Sequence, residues 1–159
     1  MTTPSHLPPD EGLDRDTGLR TSPPPTCFLP VRRWVLDSLT ELQTLRDNLR
    51  AEIRARDRLR ADDLLGGVAH DLVLVATELA SNAIRHGRPP TIVELLQHEA
   101  RFLLTVADHD PGTAPRVDAA RPRGQGGFGL RITQRLSLDA AWYRAGAVKV
   151  VWAELGTST

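Results

Sequence analysis

The chain has almost no lysine, cysteine or aromatic side chains, and each shortage excludes something. Lys149 is the single lysine among 20 basic residues. The arginine excess that results is the kind coding bias produces, so it carries no binding signal by itself. Cys27 is the single cysteine in 159 residues, which rules out an internal disulfide framework and a cysteine-held zinc site. Aromatic residues make up 4%, too few for a stacking platform for single-stranded nucleic acid. Twenty basic residues balance twenty acidic ones, so charge gives no reason to expect nucleic acid as a direct partner. No apolar run is long enough to span a membrane, and the N-terminus lacks a signal-peptide pattern. These features predict a cytoplasmic protein with no membrane partner. No internal repeat is visible.

What is present suits one domain. Hydrophobic residues form 40% of the chain, enough for a core at this length. Residues 1–27 are different in composition, with Pro8-Pro9 and Pro23-Pro24-Pro25. Such a segment buries too little apolar surface to offset its chain entropy, so it is expected to be a disordered tail ahead of a domain at 28–156. Its proline triplet reads first as a stiff linker and second as a polyproline ligand.

Hydrophobic spacing orders the rest. Phe28–Leu36 reads as a strand interrupted by Pro30. Thr40 can cap a helix running to about Arg58, with Leu42, Leu45, Leu49 and Ile53 on one face. The opposite face carries Arg46, Arg50, Arg54, Arg56, Arg58 and Arg60 against Asp47, Glu52 and Asp57. A solvated face is its default reading, and a surface for an acidic partner is the functional one. Residues 61–67 read as a loop. A second helix at 68–86 places Val68, Leu72, Ala76, Leu79 and Ala83 on one buried face. Thr91–Gln97 and Arg101–Ala107 form a predicted hairpin around Glu99-Ala100. A short helix at Gly129–Leu136 precedes a second hairpin, Ala140–Tyr143 and Val148–Leu155. This order predicts an α/β fold: a two-layer α/β sandwich with a mixed, mostly antiparallel sheet and helices on one face. Trp34, Trp142 and Trp152 are expected to pack in the core or at its edge.

The second helix carries the chemistry-bearing residues. Glu78, Asn82 and Arg85 fall at i, i+4 and i+7, on one stripe beside the buried face, and Asp71 shares that stripe. Helix geometry alone favours a solvated face, whose ion pairs are worth little. The downstream sequence shifts the balance. Asp108 ends a buried strand and opens the turn Asp108-His-Asp110-Pro-Gly112. A carboxylate placed there can accept a hydrogen bond from an amino group in an otherwise apolar pocket. Gly124, Gly126, Gly127 and Gly129 then lead into a helix. Glycines let backbone approach phosphates, and a helix N-terminus presents unpaired N–H groups to them.

Together, Glu78 to His86, Asp108 to Gly112 and Gly127-Phe-Gly129-Leu130 resemble the N box and the two glycine boxes of the histidine kinase-like ATPase domain. That domain, with its Bergerat-type fold, is shared by gyrase, heat-shock chaperone, histidine kinase and mismatch-repair ATPases. The resemblance covers roughly residues 28–155, and within the superfamily it is strongest to the small anti-sigma-factor serine/threonine protein kinases. The resemblance implies ATP and Mg²⁺ as ligands and gives roles by position. Asn82 would hold Mg²⁺ through its amide oxygen, and Glu78 would be the general base. Asp108 would bind the adenine amino group, with Gly112 beside the base. Gly127, Gly129 and Leu130 would close on the nucleotide. Arg85 and His86 would border the site without an assigned role, and Arg116, Arg121 or Arg123 of the short lid would be near the phosphates. One departure stands out: Asp110 occupies the place where the family usually has a middle glycine.

The function implied is transcription regulation. An anti-sigma-type kinase would phosphorylate an antagonist protein of the anti-anti-sigma type and also engage a sigma factor, as a homodimer. The alternative is an ATP-sensing module that sequesters a transcription factor without kinase activity. A histidine-kinase role fits poorly. The predicted helix from Thr40 to Arg58 contains no histidine to phosphorylate, and His70 stands alone at the start of the next helix.

Overall fold

The computed structural model describes residues 19–57, 64–112, 115 and 129–156. Over these residues, six strands and three helices follow one another in the order the hydrophobic pattern predicts, with one strand added at the front. The strands are β1 (Arg20–Thr21), β2 (Leu29–Leu36), β3 (Thr91–His98), β4 (Arg101–Asp108), β5 (Asp139–Ala145) and β6 (Val148–Gly156). The helices are α1 (Leu42–Asp57), α2 (Leu64–His86) and α3 (Gly129–Leu136).

The strands form one sheet in the order β1-β5-β6-β4-β3-β2. All pairings are antiparallel except β1 with β5, which is parallel. The sheet is therefore mixed and mostly antiparallel, with its helices layered on one face.

Helix α1 starts after a short 3-10 turn whose cap is Ser38, two residues before the Thr40 expected from sequence. The Ser38 hydroxyl accepts the Thr40 N–H at 3.3 Å, while Glu41 reaches back to the Asp37 N–H at 3.1 Å. Two orphan amides are satisfied by this reciprocal arrangement. Leu42, Leu45, Leu49 and Ile53 are all buried, as their spacing requires. Each contributes about 1.5–3 kcal/mol by leaving water. On α2, Val68, Leu72, Ala76, Leu79 and Ala83 are buried as expected, but so are Val73, Val75 and Ala80. The broader apolar surface arises because α2 is the central helix, packed against α1 and α3 as well as the sheet.

The N-terminal segment departs from expectation. Composition places residues 19–27 in a disordered tail, yet Leu19 is buried in the main core and Arg20–Thr21 pair with β5. Arg20 makes a fork-to-fork pair with Asp139 at 2.6 and 2.7 Å, the geometry that gives Arg–carboxylate contacts their specificity. Because β1 and β2 lie at opposite edges, the segment 22–28 must cross the outer face of the sheet. Five strand spacings span about 24 Å, and eight residue steps in polyproline conformation reach about 25 Å. The proline triplet thus works as a stiff strap. Trp152 donates its indole N–H to the Ser22 carbonyl at 2.8 Å, and Phe28 packs on Leu103 and Trp152. A groove of about 480 Å³ lies between this strap and the outer residues of β3 to β6.

Candidate functional site

Helix α2 sets one side of the site. Glu78 and Asn82 are both half-buried and separated by one turn, about 6 Å along the axis. Neither side chain has a hydrogen-bond or ion-pair partner among the described residues. The exposed Glu–Arg pairing that helix geometry alone allows does not form, and Arg85 is exposed in the last turn. His86 is exposed beside it. The chain therefore holds a carboxylate and an amide at the margin of its core with their polar atoms uncommitted.

Asp108 is bound very differently. On the helix-facing side of β4 and β6, the cross-strand rungs read Phe102 with Leu155, Leu104 with Ala153, and Val106 with Val151. All six side chains are buried. The next rung is Asp108 with Lys149. The Lys149 ammonium lies 3.4 Å from Asp108 Oδ2, and the two side chains are only 6% and 4% exposed. Asp108 Oδ1 accepts the Asp110 N–H at 2.8 Å, an Asx turn that fixes the start of the loop. The sole lysine of the chain thus pairs with the carboxylate expected to read a base.

The end of α2 closes on the same carboxylate. A Cβ placed on Gly87 would stand 2.4 Å from Asp108 Cγ and 2.6 Å from the Ala83 carbonyl oxygen. Only glycine allows this approach. The turn after Gly87 is laced to the end of β4: His109 donates its backbone N–H to the Arg88 carbonyl at 3.0 Å, and its Nδ1 lies 3.0 Å from the Pro90 carbonyl oxygen. A carbonyl only accepts, so Nδ1 carries the proton there. Sequence reading passed over both Gly87 and Lys149. The available signal was the in-phase position of Lys149 with Val151, Ala153 and Leu155.

The remaining expected residues are placed unevenly. Gly112 is exposed, and among the described residues a Cβ there would meet nothing closer than Asp110 Oδ1 at 3.7 Å. The described residues therefore make no demand for glycine at 112. Gly129 is the first residue of α3, and Leu130 is buried in the main core. Gly127 and the lid arginines Arg116, Arg121 and Arg123 lie outside the described residues. No group of three or more acidic, histidine or cysteine ligands occurs among the described residues. Magnesium needs no such group, because it keeps several waters and takes phosphate oxygens. A single hard oxygen such as that of Asn82 fits it. No described helix is long and apolar enough to cross a membrane.

With this geometry in view, comparison decides the family: the histidine kinase-like ATPase domain matches residues 36–155. The chain belongs to that family. ATP binding comes with membership. No curated protein matches at a significant level. Among solved structures, the chain is similar to the RsbU and RsbW domains of Rv1364c from Mycobacterium tuberculosis, with a TM-score of 0.53 and 17% identity. That alignment covers 80% of this chain and 33% of the other, so this chain spans about a third of its neighbour's length. It is also similar to the Acinetobacter baumannii histidine kinase AdeS, at 14% identity and TM-score 0.45, over 82% of this chain and 70% of that one. The histidine kinase domain of the E. coli osmosensor EnvZ aligns at 15% identity and TM-score 0.40, over 82% and 91%. At these identities the likeness is one of fold.

Proposed function

We propose that this histidine kinase-like ATPase domain is a serine/threonine protein kinase of the anti-sigma type. It would transfer the γ-phosphoryl group of ATP to a hydroxyl of a small antagonist protein and so control a sigma factor. The observation that carries this is the pair Glu78 and Asn82. They are half-buried, uncommitted and one turn apart, on the helix whose C-terminal end closes on buried Asp108.

In this reading Asp108 accepts a hydrogen bond from the adenine amino group, which orients the nucleotide along α2. Asn82 offers its amide oxygen to Mg²⁺, an ion that when bound neutralises charge on the phosphates. Glu78 accepts the proton of the substrate hydroxyl as that oxygen bonds to the γ-phosphorus. The bond from the γ-phosphorus to its bridging oxygen breaks, and ADP leaves with the electron pair. Most of the rate then comes from positioning rather than from covalent chemistry by the protein.

Labelled ATP and candidate antagonist proteins test the proposal. Glu78→Gln is expected to keep nucleotide binding and lose transfer, while Asn82→Ala loses Mg-ATP binding. Undiminished transfer by the Glu78 variant would remove the base assignment.

One observation favours a second reading. Asp110 stands at the expected middle glycine, with its carboxylate near Gly112 and its backbone tied to Asp108. A negative charge close to phosphates weakens the hold on a reacting nucleotide. The second reading is an ATP-sensing module that sequesters a transcription factor. Tight ATP binding with no label on any partner would select it.

A further inference from the structure

Three apolar rungs followed by a charged one are an unusual way to end a pair of core strands. A buried ion pair is a poor stabilising device, since apolar residues of similar volume usually serve as well or better. The Asp108–Lys149 rung therefore calls for a use beyond holding β4 to β6, which the backbone ladder and the other rungs already do. Its position supplies one. The rung lies at the last residue of β4, beside Gly87 at the end of α2.

We propose that Lys149 is a second base-reading residue, donating a hydrogen bond to a ring nitrogen of adenine while Asp108 accepts from the neighbouring amino group. This rests on the placement of the nucleotide against Asp108 given above. The chemistry matches. An ammonium only donates and an ionised carboxylate only accepts. The adenine amino group donates, and the ring nitrogens N1 and N7 that flank it accept. A donor and an acceptor 3.4 Å apart on one rung present the complementary pattern to that edge. The carboxylate alone would fix one hydrogen bond and leave the base free to rotate about it. The pair fixes two, which sets the plane of the ring as well as its position.

The test compares ATP with its 1-deaza and 7-deaza analogues, each of which lacks one of the two ring nitrogens. The wild-type chain is titrated first, because this needs no folded variant. One analogue is expected to bind roughly tenfold or more weakly than ATP, the loss of a charge-assisted hydrogen bond. The same titrations on Lys149→Met, and on the pairwise-neutral Lys149→Met/Asp108→Asn, are then expected to show no discrimination between ATP and that analogue. A merely structural lysine would lower affinity for all three nucleotides alike and leave their ratios unchanged. Wild-type protein that binds ATP and both analogues equally overturns the role of Lys149 and leaves the nucleotide site standing. Discrimination that persists at wild-type level in a folded Lys149 variant overturns it too. Wild-type protein that binds none of the three overturns both this inference and the placement on which it rests.

Discussion

The two ends of the candidate site are built on opposite principles. At one end, Asp108 is buried, paired with Lys149, fixed by the Asp110 amide and pressed against Gly87. At the other end, Glu78 and Asn82 stand half-buried with no partner among the described residues. In the proposed function the difference separates two jobs. A group that must recognise one shape gains from being locked before the ligand arrives. A group that must meet a metal or take a proton has to keep its lone pairs available. Variation at the first end should therefore act on folding, and at the second end on chemistry.

The sharpest break in this comparison is Asp108→Ala. It removes the carboxylate that lies 3.4 Å from the buried Lys149 ammonium, and about 3–5 kcal/mol of stability should be lost. Denaturant unfolding measures it. The double variant Asp108→Leu/Lys149→Met removes both charges and should recover most of that loss. If it does not, the pair is a stability device after all. Gly87→Ala comes next. Its new methyl group collides with the Asp108 carboxyl and with the Ala83 carbonyl, and about 1–3 kcal/mol should be lost through overpacking. A wild-type unfolding midpoint in this variant would show that the close approach is not needed.

At the open end the expected stability changes are small. Glu78→Gln and Asn82→Ala should stay within about 0.5 kcal/mol of the parent, as surface-like substitutions do. Activity should nonetheless fall, in the Glu78 variant by about 10²–10⁴-fold in transfer rate. Loss of stability matching that of Asp108→Ala would erase the contrast. The smallest effect is expected at Gly112→Ala, since among the described residues only Asp110 Oδ1 lies within 4 Å of the added carbon. Its unfolding curve should overlay the parent, and any defect should appear in nucleotide affinity alone.

Much of the fold could be read from the chain because it follows from local periodicity. The buried faces of α1 and α2 lie at the expected residues, and the β3–β4 and β5–β6 hairpins at the expected places. Strand β1 left no such trace. Two residues in a proline-rich segment have no period, and their partner β5 lies 121 residues further along, as in Arg20 with Ala141. The early start of α2 at Leu64 was hidden by Gly66-Gly67, which read as a loop until packing against α1 and α3 is known. The candidates Glu78, Asn82 and Asp108 come from residue type and spacing, which carry chemistry in the local sequence. Lys149 and Gly87 do not, because their meaning depends on the register of β4 against β6 and on where α2 ends. Tertiary pairing sets both, and the local pattern does not encode them.

The central claim is that one adenine nucleotide lies along α2, from the locked end to the open one. Melting of the wild type, Glu78→Gln and Asn82→Ala with and without Mg-ATP tests it most directly. At a hundredfold excess over Kd, ligand binding stabilises a folded protein by about 2.7 kcal/mol. The account predicts a rise in melting temperature that is equal in the wild type and Glu78→Gln and absent in Asn82→Ala. No rise in the wild type, or the same rise in all three, would contradict it.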